Sequence, residues 1–276
     1  MQQAGQPTFG LGIVVSFVAA LILGAVAIAA TGSGDRSGVP ALDTMNVVLW
    51  LVGLIGIVVA GAGAQYAERS AEKAAAAVGH PRPPASVPSA WAVPAVAAFA
   101  ALLLVATYHN RWMILFGFLI AFLGTAGSLF SRDLLDDAAD TTHRLATAVH
   151  TVVIHVVAFL ALGAIYYNKL PLWVGLPLTW LVAGALALEA LERGNGGPVQ
   201  RVGYAALAGF VVGEALIAIN WWPTHGWTGG AILLVCFYLA SGVLVARAQR
   251  PSFRSRDLWE FATVGLVAFV ILAATA

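Results

Sequence analysis

Nine apolar stretches of about 20 residues each, separated by short polar joints, constrain this chain more than any other feature. They run over about 9–30, 42–64, 90–108, 112–130, 145–167, 171–190, 202–221, 228–247 and 257–275. Only helices or closed barrels satisfy every backbone N–H and C=O within hydrocarbon. These stretches are twice strand length and do not alternate polar with apolar. The predicted fold is therefore all-α: an integral membrane helical bundle of about nine transmembrane helices, in one polytopic domain over residues 1–276. Charged residues make up 10% of the chain, against about a quarter in soluble domains.

The N-terminal MQQAGQPTFG has no positive region, and the first apolar run is too long for a signal peptide, so it is expected to stay as a helix. Neither end carries a lipidation box. The lone cysteine, Cys236, excludes a disulfide within the chain and a cysteine-based metal site. A net charge of +1 gives no reason to expect nucleic acid. The longest joint, 65–89, begins as a helical extension with Glu68 and Glu72 close to Arg69 and Lys73 on neighbouring turns. His80-Pro81-Arg82-Pro83-Pro84 then breaks it.

Lys and Arg set the orientation. Summed over alternate joints, one side receives eleven: Arg69, Lys73, Arg82, Arg132, Arg144, Arg193, Arg201, Arg247, Arg250, Arg254 and Arg256. The other side receives three, Arg36, Arg111 and Lys169. The positive-inside rule then places the N-terminus in the cytoplasm and the C-terminus outside, in the cell (inner) membrane of a bacterium. The basic joint 247–260 is expected to contact anionic lipid.

Under that topology the stretch GEALIAINWWPTHGW, 213–227, closes the seventh span at the outer surface. Glu214 lies about 10 Å below Trp221 at ~1.5 Å per residue. Glu214, Phe210, Ala218 and Trp221 fall on or near one stripe, and Ala205, Gly209 and Gly213 form a small-residue ladder one notch round. Such ladders permit close helix approach in lipid. The expectation is that Glu214 points into the bundle, because a carboxylate in hydrocarbon costs several kcal/mol unless protonated, paired or wet. Partners for it on the outer side are Asp43, Asn46, His109, Asn110, Arg111, Tyr166, Tyr167, Asn168, Lys169, Asn220 and His225. Glu214, Asn220, Trp221, Trp222 and Arg111 are candidate ligand or proton-binding residues. The walls of such a pocket would be Trp50, Trp112, Trp173, Trp221, Trp222 and Trp227. Read singly, those tryptophans are an interfacial belt.

The fifth span carries His143, His150 and His155. At 100° per residue His155 lies about 140° round from His150, so the two cannot meet on one metal from this helix alone. A transmembrane haem would need an opposing histidine on another span at similar depth, and His80, His109 and His225 lie in or near joints. His150 and His155 stand as candidate proton carriers with Glu214. Lys73 and Lys169 both lie at joints, so no lysine is available for a retinal Schiff base. No cofactor is expected.

The joint SRDLLDDAADTTHR, before the fifth span, holds Asp133, Asp136, Asp137 and Asp140 at spacings of three and four. Such carboxylates can hold Mg²⁺ against a diphosphate. Over about eight residues the run resembles the first aspartate motif, Asp-x-x-Asp-x-x-x-Asp, of the intramembrane aromatic prenyltransferases. That resemblance would imply a diphosphate-lipid enzyme of nine helices with a cytoplasmic N-terminus. Arg132 stands where that family has Asn, the motif falls between spans four and five rather than two and three, and a second Asp-rich joint is missing, with only Glu189 and Glu192 after span six. The plainer reading is a solvated turn in which Asp140, Thr141 and Thr142 cap span five.

From Gly213 onward, Glu214, then Asn220-Trp221-Trp222-Pro223, the span GGAILLVCFYLASGVLVA, a basic linker and a last span resemble an uncharacterised family of bacterial polytopic membrane proteins of unknown function. The likeness covers roughly the last 75 residues and implies no activity.

Three functions follow. The first expectation is a non-catalytic integral membrane component: an accessory, assembly or scaffold subunit whose partners are the bilayer and either another membrane protein or a second copy. The second is a secondary transporter or proton-coupled carrier using Glu214 with His150 or His155. The third is an intramembrane enzyme working through the acidic joint 133–140.

Overall fold

The computed structural model describes residues 6–31, 47–77, 79, 87–108, 111–136, 143–192, 194, 196–222, 226–249 and 255–275. Among them are nine helices and no strand. They are α1 (Gln6–Thr31), α2 (Val47–Ala77), α3 (Ala92–Thr107), α4 (Arg111–Asp136), α5 (His143–Tyr167), α6 (Leu172–Ala190), α7 (Pro198–Asn220), α8 (Trp227–Gln249) and α9 (Ser255–Thr275). Seven of these are long and apolar enough to cross a membrane. The chain is an all-α helical bundle of the multi-pass membrane kind. It divides into two compact units, Met1–Val157 and Ala158–Ala276, with the boundary inside α5.

In the first unit α3 is the core. It has only 16 residues, shorter than the expected 90–108, and 14 of them are buried. Its sequence AVPAVAAFAALLLVAT is apolar all round, the pattern of a helix enclosed on every side. Small residues let its neighbours approach. A Cβ on Gly124 of α4 would collide with that of Ala97, and one on Gly53 of α2 with Leu102. On α2 the buried stripe is Gly53, Gly56, Ala60, Gly61, Ala64, Ala67, Glu68 and Ala71. α2 also continues to Ala77, which is the helical extension expected for the start of the 65–89 joint.

In the second unit α7 packs between α6 and α8, and α9 lies against α8. The ladder of Ala205, Gly209 and Gly213 does form the close crossing with α6. A Cβ on Gly209 would come within 2.5 Å of the Trp180 carbonyl oxygen, and one on Gly213 within 3.0 Å of Leu176. The end of α5 meets the start of α8 glycine to glycine, Gly163 against Gly230. Arg201 closes the joint between α6 and α7. Its Nε donates to the Gly196 carbonyl at 3.1 Å and its Nη2 to that of Gly194 at 2.7 Å.

Candidate functional site

Glu214 does not point into the bundle. It is exposed on α7, and so are Leu207, Phe210, Val211, Ala218 and Trp221 on the same stripe. The ladder expectation holds and the Glu214 expectation fails for one geometric reason. One residue is 100° of helix, so packing Gly213 against α6 turns Glu214 away from it. Six residues separate Glu214 from Asn220, the last residue of α7, which is about 9 Å along the axis. A carboxylate therefore stands partway down a membrane-length helix, on a face of otherwise apolar side chains.

Among the described residues of the second unit, those expected around Glu214 do not assemble into a pocket. Asn220, Trp221 and Trp222 are exposed, the two tryptophans at 85% and 52%. Trp222 meets the edge of Phe269 on α9 at 6.4 Å. Trp173 is also exposed. Trp227 instead packs into the unit, against Phe159 at 5.5 Å and Tyr167 at 6.2 Å between ring centroids. Tyr166 is buried, its hydroxyl donating to the Ile219 carbonyl at 3.4 Å, and the Lys169 ammonium sits 3.5 Å above its ring. Asn168, just past the end of α5, donates its Nδ2 to the Ala164 carbonyl at 2.8 Å. These residues are engaged with their own neighbours, while Trp173, Trp221 and Trp222 face outward.

The histidines divide as their angular separation requires. His150 is buried, and its Nδ1 lies 2.9 Å from the Ser131 hydroxyl of α4. His155 is half-buried and turns its Nδ1 to the Thr151 carbonyl of its own helix at 2.7 Å. Asp43, Asn46, His109, Asn110, His225, Asp137 and Asp140 lie outside the described residues. So do Thr141 and Thr142, with which Asp140 was expected to cap span five. The side chains of Arg111 and Asp136 also lie outside them. Of the acidic run, Asp133 is described, half-buried at the end of α4. Glu189, expected in a joint, is buried in the last turn of α6.

The most developed polar feature is one the sequence reading misassigned. Glu68 was expected to pair along its own helix with Arg69 and Lys73. Both of those are exposed, and Glu68 is buried on the stripe of Ala60, Ala64, Ala67 and Ala71. Its Oε1 accepts from Nη2 of Arg132 on α4 at 3.2 Å. Arg132 is 2% exposed, and the neighbouring Ser131 holds His150. The chain thus ties α2 to α4 and α4 to α5 through consecutive residues. The detectable signal was position: Glu68 and Ala64 are four apart, so the carboxylate falls on the alanine face rather than the charged one.

Beside this pair lies a cleft of about 310 Å³ between α1, α2 and α4. Its wall is apolar, with Ile13, Phe122, Ala126, Leu129 and Phe130 among its residues. Its charged lining residues are Glu68 and Asp133. No group of three or more His, Cys, Asp or Glu that could hold a metal ion occurs among the described residues.

Residues 37–275 match the family model of DUF5656, proteins of unknown function, and the chain belongs to that family. The match extends well beyond the last 75 residues on which the resemblance to an uncharacterised family rested. Neither a curated protein nor a solved structure matches the chain.

Proposed function

We propose that this DUF5656 protein is a non-catalytic integral membrane component, an accessory, assembly or scaffold subunit of a larger membrane complex. The observation that carries this reading is Glu214. An acidic side chain on the outer face of a membrane-length helix costs about 2.5–3.5 kcal/mol by insertion scales. The cost falls if a donor from another polypeptide covers it. The surrounding Leu207, Phe210 and Val211, each between 42% and 57% exposed, supply the apolar rim of such a contact. Small residues on the opposite side of α7 are already committed to α6, so this stripe is the free face of the helix.

Native mass spectrometry on gently extracted native membranes tests the reading. The wild-type chain should arrive with a second membrane protein bound. Glu214→Gln should release that partner while the melting temperature of the isolated chain stays within about 2 °C, as expected for a ΔΔG below roughly 0.5 kcal/mol. A chain that is always alone, or a partner retained undiminished by Glu214→Gln and by Glu214→Leu, overturns it.

A further inference from the structure

We propose that Arg247 and Tyr204 form a binding site for one phosphate group, at the end of the second unit where α7 begins and α8 ends. The site is separate from the Glu214 face. Glu214 lies further along α7 from Tyr204, by about 15 Å at ~1.5 Å per residue.

The local fold fixes both side chains. Nε of Arg247, in the last turn of α8, donates to the Tyr204 hydroxyl of α7 at 3.2 Å. Nε2 of Gln200, one turn earlier on α7, donates to the same oxygen at 3.0 Å. The α6–α7 joint backs the end of α8: a Cβ on Gly194 would come within 2.9 Å of that of Ala248, next to Arg247. Arg201 holds that joint through the Gly194 and Gly196 carbonyls.

The charge at this end has no counterpart within the unit. Arg201 donates to neutral carbonyls and Arg247 to a neutral hydroxyl. Neither guanidinium pairs with a carboxylate among the described residues, although Glu189 and Glu192 stand at the same end. In sequence, residues 247–256 carry four arginines and no acid.

The donors that remain suit a phosphate. With its Nε engaged, Arg247 keeps two Nη groups, whose parallel N–H bonds match two oxygens of one phosphate. The Tyr204 oxygen accepts twice, so its own O–H is left to donate. Arg247 is exposed and Tyr204 half-buried, so one ligand can reach both. α7 and α8 are each long enough to cross a membrane, and a bilayer sets its polar headgroup layer at the ends of such helices. A phospholipid headgroup and a soluble phosphate ester carry the same chemistry.

The test is native mass spectrometry of the full-length, delipidated chain. The probes are palmitoyl-oleoyl-phosphatidylglycerol, the phosphatidylcholine of the same chains, oleate as an anion without phosphate, and glycerol 3-phosphate. The glycerol lipid should be retained at least about tenfold better than the choline lipid or oleate, a difference of ~1.4 kcal/mol. Arg247→Gln should abolish that preference. Arg247→Lys should abolish it too, because lysine keeps the charge and loses the fork. Tyr204→Phe, which deletes one oxygen, should weaken it and carries the test if the Arg247 variants melt lower than the wild type. Arg69→Gln, on an exposed side chain of α2, should leave retention unchanged. Glycerol 3-phosphate bound in an Arg247-dependent way, without preference for the glycerol lipid, assigns the site to a soluble phosphate ester. Oleate retained as well as the glycerol lipid, a preference that survives Arg247→Lys or Tyr204→Phe undiminished, or no binding of either phosphate probe above the choline lipid overturns the proposal.

Discussion

Arg132 of α4 donates to the carboxylate of Glu68 of α2 across 3.2 Å, with the two side chains 3% and 10% exposed. Glu68→Gln, which removes the buried negative charge that Arg132 faces, should destabilise the chain by about 3–5 kcal/mol. The double variant Glu68→Leu, Arg132→Met should recover most of that loss, because apolar replacement of a buried pair is often neutral or stabilising. Unfolding of the purified chain in mixed micelles reads both. A double variant no better than the single ones would show that the pair supports more than itself.

Two glycines of α7 should respond in opposite directions to the same substitution. Gly209→Ala forces a Cβ to within 2.5 Å of the Trp180 carbonyl, which is backbone and cannot rotate away. The α6–α7 crossing must open, at a cost of about 1–3 kcal/mol. Gly203→Ala meets nothing within 4 Å and should stabilise the chain by about 0.5–1 kcal/mol, the ordinary helix-interior gain of Ala over Gly. Thermal melting of the two variants side by side checks the sign.

Ser131 and His150 should be energetically coupled. A buried hydrogen bond at 2.9 Å contributes about 1 kcal/mol net. Ser131→Ala and His150→Leu should each destabilise, and the double variant should cost less than their sum. A double-mutant cycle that closes to zero would mean the two groups answer to other neighbours.

Arg201 holds two carbonyls of one joint with two different nitrogens. Lysine is a point charge without that fork. Arg201→Lys should therefore lose about 1 kcal/mol although the charge is kept. Limited proteolysis of the 191–197 joint should show faster cutting in the variant, and an unchanged rate would count against the clamp.

The bundle was readable from run length alone, and the α6–α7 crossing from the spacing of Ala205, Gly209 and Gly213. Both are properties of one helix read along its axis. What escaped were directions and distant pairings. Glu214 was assigned inward because it neighbours the ladder, and the 100° between it and Gly213 reverses that. Glu68 was matched with basic residues near it in sequence, whereas its partner is 64 positions away on α4. Periodicity on a single helix carries no information about which neighbour its stripe will meet.

The brevity of α3 has a consequence for how the protein is made. Its 16 residues rise about 24 Å, short of the roughly 30 Å of a hydrocarbon core. Synthesis delivers α1 and α2 before it, but α4, one of the walls it packs against, only afterwards. Between those moments its seam of alanines has no covering helix on that side. The first unit therefore completes its centre only once α4 has been made and covers that side of the short helix.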